Sequence, residues 1–116
     1  YGRMVQMSLK VAEKLAEEGI NVEVLDLRTL SPLDKDAIIA TAKKTHKVVI
    51  VHEAVQFGGF GGEIAATITD SDAFYYLDAP IKRVGALYCP VPFNPVLEAE
   101  TFPTPAKIEA AVRDVL

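Results

Sequence analysis

The chain of 116 residues suits one compact domain and has no room for two. Half of its residues are hydrophobic, which supplies a core and excludes the disordered class, while a formal charge of −4 without a basic run argues against nucleic acid. The single cysteine, Cys89, excludes an internal disulfide and favours a reducing compartment.

In chain order, the first pattern is helical. Val5, Ser8, Leu9, Ala12, Leu15 and Ala16 fall on one face, with Lys10, Glu13, Lys14 and Glu17 elsewhere. Gly19 sits where a C′ glycine ends such a helix. Ile20–Leu27 then reads as a strand with apolar residues at period two. Ser31-Pro32-Leu33-Asp34 reads as a helix start, with serine as cap and proline at the first helical position. Ile38, Ile39 and Ala42 form its buried side, and it stops near Thr45-His46.

Val48-Val49-Ile50-Val51 is the apolar run of a strand buried on both faces, and it ends in His52 and Glu53. Gly58, Gly59, Phe60, Gly61 and Gly62 lead into a helix carrying Ile64, Ala65 and Ile68, which ends at Asp70-Ser71-Asp72. Phe74 to Leu77 is an aromatic segment expected across the sheet edge, and Ile81–Leu87 reads as a short strand. Pro90, Pro92 and Pro95 predict an irregular loop. Thr104-Pro105 opens a terminal helix with Ile108, Ala111, Val112 and Val115 on its buried side. No apolar run is long enough to span a bilayer, and no signal-peptide pattern is seen, so a cytoplasmic α/β domain is expected.

Helices alternating with strands imply a mostly parallel sheet covered on both faces, a three-layer α/β/α arrangement. Tyr1-Gly2 looks like a strand-to-helix turn, so a further strand is expected before it and the chain reads as a fragment of something longer.

The candidate site is the strand end with the glycine turn: His52, Glu53, Gly58, Gly59, Phe60, Gly61 and Gly62. The glycines fail the dinucleotide fingerprint, because its third required position is Ile64, and no P-loop lysine follows. Anion binding at this helix start stays open, but close packing against another element or subunit is the preferred reading. His52 and Glu53 occupy the end of a strand where catalytic groups often lie. No serine, cysteine or second histidine is placed to join them, which favours a buried or interfacial pair. His46 stands at the other end of the strand, about 20 Å away, so the two histidines make no metal pair. Glu63 suits the positive end of the helix dipole, and Cys89 has no neighbour that would activate its thiol.

Several segments carry a resemblance beyond these physical signals. They are Val24 to Asp34, His52-Glu53-Ala54 with Gly58 to Ile64, Leu77 to Ile81 with Arg83-Val84, and Pro90 to Phe93 with Leu97-Glu98. Together, in this order, they resemble the carboxyl-terminal domain of the β subunit of 2-oxo acid dehydrogenase E1 components, a domain type shared with transketolase and deoxyxylulose-phosphate synthase. The resemblance implies a three-layer α/β/α domain with a five-stranded mixed sheet whose first two strands precede the segment matching Tyr1-Gly2. It implies a parent enzyme that uses thiamine diphosphate and Mg²⁺, bound outside this domain, so neither is expected on this chain and Glu53 is not the cofactor-activating glutamate. The implied role is assembly and partner docking, inactive alone. The implied partners are an E1 α subunit or α-type domain, a second β subunit and the dihydrolipoyl acyltransferase E2, in the cytoplasm or the mitochondrial matrix. The His-Glu-Ala and Gly-Gly-Phe-Gly segments lean towards 2-oxoisovalerate rather than pyruvate enzymes. The alternative is a small stand-alone α/β ligand-binding module or enzyme built on His52-Glu53 and Gly58–Gly62.

Overall fold

The computed structural model describes residues 1–116 and opens on helix α1 (Arg3–Glu17). Gly19 takes φ +81°, a conformation that strains residues with a Cβ, and the N–H groups of Gly19 and Ile20 donate to the carbonyls of Ala16 and Leu15. The buried stripe differs from the expected one. Met4, Val11 and Leu15 are buried, while Leu9 and Ala16 are exposed. The stripe is set by what α1 packs against: Val11 and Leu15 join Val84, Ile108 and Val112 in one cluster.

The remaining elements are α2 (Lys35–Thr45), β1 (Val49–Val55), α3 (Gly61–Thr69), a 3-10 turn (Asp72–Tyr76), β2 (Lys82–Ala86), α4 (Pro95–Thr101) and α5 (Pro105–Arg113). Helix α2 begins later than expected, because Asp34 rather than Ser31 caps it, its carboxylate accepting from the Ala37 N–H at 3.0 Å. It ends at His46, which adopts the left-handed conformation.

Strands β1 and β2 pair in parallel, from Val49 opposite Lys82 to Val51 opposite Val84, with an irregularity before Val55 meets Ala86. Their two faces carry different clusters. Ile50 packs with Ile38, Ala42, Ile64 and Ile68 of α2 and α3, whereas Val84 packs with residues of α1 and α5. Three layers result, helices on sheet on helices, as the alternating pattern implies.

Three expectations fail locally. Ile20–Leu27 belongs to no ladder, although its alternation persists, with Val22 and Val24 partly buried and Asn21, Glu23 and Leu25 exposed. Alternation is a property of the segment, but a ladder needs a neighbour about 4.8 Å away, and a groove of about 250 Å³ lined by both segments lies beside β1. The aromatic segment packs on α2 and α3 rather than across the sheet edge, with Phe74, Tyr75 and Tyr76 exposed. The proline-rich loop contains a helix, α4, where Asn94 caps by accepting from the Val96 N–H and Pro95 takes the first position. No helix is long and apolar enough to cross a membrane.

Ile68 is 1% exposed in the α2–β1–α3 cluster. Ile68→Ala is expected to cost about 2–5 kcal/mol, read as a lower urea midpoint. Tyr75→Ala, at a position 84% exposed, is expected to stay within about 0.5 kcal/mol of the parent.

Candidate functional site

The pleat of β1 separates the two residues that sequence reasoning pairs. Successive side chains point to opposite faces, so His52 joins Ile50 on the α2–α3 face and is fully buried, while Glu53, on the α1–α5 face, is exposed. Glu53 reaches only Arg3, at 3.8 Å. The expected His-Glu pair does not form.

His52 Nδ1 lies 2.9 Å from the Ala54 carbonyl oxygen. A carbonyl only accepts, so Nδ1 carries the proton and Nε2 presents a lone pair. That Nε2 is buried without a hydrogen-bond partner. Burial holds the ring below the ordinary histidine pKa of 6.5, and the positive charge of Arg83 acts in the same direction, against the bond to Ala54. The ring of Tyr1 stacks on the imidazole at 6.4 Å, and Phe60 meets Tyr1 edge-on at 6.5 Å.

Three glycines make room for this ring. A Cβ on Gly61 would fall on His52 Nε2 and 2.6 Å from Cδ2; one on Gly59 would fall on the Val55 carbonyl and 2.8 Å from His52 Cε1. A Cβ on Gly85 of β2 would lie 2.9 Å from the same carbon and 3.0 Å from the Ala54 oxygen. Gly58 supplies the left-handed turn, φ +67°, with open space around it, and Gly62 has only Arg83 near, at an ordinary 3.5 Å. The close approach expected of the glycines is therefore made to the chain's own His52, from Gly59 and Gly61 alone of the turn. Phe60 packs partly buried against the α2–β1–α3 core.

This geometry closes the side of the turn that faces His52 to a ligand. The space that an anion or cofactor phosphate would need beside Gly59 and Gly61 is filled by imidazole, and the grooves of about 250 and 110 Å³ lie elsewhere. No group of three His, Cys, Asp or Glu side chains is arranged to hold a metal ion. His46 is remote from the site, its ring stacked on Tyr76 at 6.2 Å and its Nδ1 2.7 Å from the Tyr76 carbonyl.

Sequence reasoning misses Gly85, although an isolated glycine inside a strand pattern is a cue for close backbone approach. It also misses an apolar rim. Phe57 and Tyr88 meet edge to face at 5.0 Å, and Leu87, Val91, Phe93, Val96 and Leu97 are exposed beyond them, Phe93 completely. The cue is that no charged residue occurs from Leu87 to Leu97.

Gly61→Ala is expected to cost about 1–3 kcal/mol through overpacking, and His52→Ala in the same chain to recover part of that loss, because His52 supplies the overlapping atoms. Gly59→Ala is expected to stay damaged in the His52→Ala background, because a backbone carbonyl also blocks it. Urea denaturation of the single and double variants measures both couplings. Stability should also depend on pH. With the folded pKa depressed, the unfolded chain binds a proton before the folded one, so stability is full above about pH 7 and falls as pH drops through 6.5. His52→Gln should flatten that segment of the stability–pH curve.

Residues 1–108 match the family model of the transketolase C-terminal domain. The chain is 46% identical over 115 residues to the β subunit of the acetoin:2,6-dichlorophenolindophenol oxidoreductase of Bacillus subtilis, covering 99% of this chain and 33% of that protein. It is 44% identical over 117 residues to the mitochondrial pyruvate dehydrogenase E1 β subunit of Saccharomyces cerevisiae, covering 100% and 32%. It is 43% identical over 116 residues to the 2-oxoisovalerate dehydrogenase β subunit of Bacillus subtilis, covering 99% and 35%. Identities this close do not favour 2-oxoisovalerate over pyruvate. A solved split-gene transketolase, an inactive β4 tetramer, superposes with TM-score 0.82 at 28% identity, covering 99% of this chain and 36% of that one. The chain spans about a third of the length of these relatives. It belongs to the transketolase C-terminal domain family.

Proposed function

We propose that this chain is the assembly and partner-docking domain of the β subunit of a thiamine-diphosphate-dependent 2-oxo acid dehydrogenase. The parent enzyme decarboxylates a 2-oxo acid and reductively acylates a lipoyl group, and this domain alone is inactive. The observation that carries the reading is the apolar rim. Phe57, Tyr88, Val96 and Phe93 are 71%, 76%, 73% and 103% exposed, and large exposed aromatic and aliphatic groups without interleaved charge are the composition of an interface core. The sealed imidazole of His52 supports the same reading from the other side, because the one histidine at the strand end has no route to a substrate.

The partners in this reading are an E1 α subunit or α-type domain, a second β subunit and the dihydrolipoyl acyltransferase. Thiamine diphosphate and Mg²⁺ bind elsewhere in the parent enzyme, in the cytoplasm or the mitochondrial matrix. The relatives' names support a dehydrogenase or oxidoreductase parent, and the β4 tetramer of the structural neighbour supports contacts between β chains.

The test is to place Tyr88→Asp and Phe93→Asp separately in the full-length β subunit and measure assembly mass by light scattering across a dilution series. Each variant is expected to weaken association by about 30-fold or more, the scale of an interface hot spot, with an unchanged melting temperature of the unassembled subunit. Wild-type assembly of both variants would overturn the assignment of this rim.

A further inference from the structure

From Leu87 to Glu100 every residue is exposed except Pro92, which is half-buried. The stretch leaves the body of the domain and rejoins it at a pinned base. There the Leu87 N–H donates to the Thr101 carbonyl at 3.0 Å, and Thr101 is buried. Lys107 of α5 donates to the carbonyls of Glu100 and Phe102, and the Thr101 hydroxyl donates to the carbonyl of Leu97. Between these points the arm is ordered by its own bonds, with Asn94 capping α4, and α4 has no extended packing against another helix or strand. An arm exposed along its length is convex, and because it is already shaped, little ordering entropy opposes its docking.

Its chemistry is one-sided. Tyr88, Val91, Phe93, Val96 and Leu97 present large apolar surface, with Phe93 fully exposed near the middle. Glu98 and Glu100 are the only charged residues between Arg83 and Lys107. Both flanking cations are already engaged, Arg83 with the carbonyl of Gln56 and Lys107 with the base of the arm. Apolar surface of this extent marks a contact site, and a fully exposed aromatic ring suits a pocket as its anchor.

A second copy of this chain offers no such pocket. Arm against arm would set projection against projection and Glu98 and Glu100 against their own counterparts, and like charges across an interface cost affinity. The groove of about 250 Å³ has one anion, Glu23, and one cation, Lys47, in its wall, and the groove of about 110 Å³ has Glu23 alone. The matching surface is concave, apolar at its centre and bordered by lysine or arginine.

We propose that the arm Leu87–Glu100 docks into an apolar cleft rimmed by lysine or arginine on a non-identical subunit. Phe93 is the anchor, and Glu98 and Glu100 face the basic rim. The proposal rests on the assembly reading of the apolar rim and adds the class of surface that the rim meets.

Photocrosslinking in the purified, assembled parent enzyme tests the partner, with p-benzoylphenylalanine in place of Phe93 in the full-length β subunit. The expected product joins the arm to a non-identical subunit. Glu98→Lys combined with Glu100→Lys tests the charge, by light scattering across a dilution series. At low salt the double variant should assemble about 10-fold more weakly than the parent, and added salt should narrow the gap by screening. Glu98→Gln combined with Glu100→Gln, which removes charge without reversing it, should fall between the two, with an unchanged melting temperature of the unassembled subunit. A crosslink to a second β subunit or within the β chain, or none at all, would overturn the proposal. So would charge variants that assemble as well as the parent or better. If Tyr88→Asp and Phe93→Asp weaken assembly in that case, the rim stands as an interface and only the class of partner fails. Wild-type assembly of those two variants would remove the assembly reading itself, and the proposal with it.

Discussion

The imidazole of His52 sits where β1, the glycine turn and β2 converge, and it is admitted there because Gly59, Gly61 and Gly85 have no side chain. The polar balance of this ring is unfavourable by itself. An unpaired buried Nε2 costs about 1–3 kcal/mol, while the single bond from Nδ1 to the Ala54 carbonyl returns about 1 kcal/mol. Dispersion contacts must offset the difference, and they come from the backbone of Gly59, Gly61 and Gly85 brought close to the ring. The glycine turn, the irregular pairing between Val51 and Val55, and the start of α3 at Gly61 all adjoin that one side chain.

This constraint separates structure from chemistry in the domain. A histidine and a glutamate at the end of a central strand have the position of catalytic groups. The pleat nevertheless sends Glu53 to solvent, and burial keeps His52 neutral and inaccessible. What the surface offers is an apolar rim of Phe57, in the turn after β1, and of exposed residues from Leu87 to Leu97, on the loop and short helix that follow β2. A rigid centre that presents a hydrophobic edge suits the contact role proposed for this domain.

Much of the fold is legible in the sequence because its signals are local. Gly19 ends α1, Thr104-Pro105 opens α5, the β-branched run at Val48–Val51 marks the first half of β1, and Ile81–Leu87 brackets β2. Cap identity is less secure, since Asp34 competes with Ser31, and Asn94-Pro95 carries the same signal as Thr104-Pro105 inside a stretch whose prolines read as loop. The strand character of Ile20–Leu27 is readable as alternation, but pairing depends on a neighbour that no local pattern reports. At the site, the glycines announce a close approach without saying to what. The answer lies in tertiary contact between residues as distant as Gly85 and His52, and no spacing rule connects them.

The most direct test of a structural rather than catalytic His52 is turnover of the proposed parent enzyme, full-length and assembled, carrying His52→Gln. Activity should be measured per assembled complex, with assembly and thermal stability determined on the same sample. The expected result is lower stability with turnover per assembled complex within about 3-fold of the parent, under about 1 kcal/mol in barrier height. Turnover reduced by about 100-fold or more, equivalent to about 2.7 kcal/mol, in a variant that folds and assembles normally would contradict it.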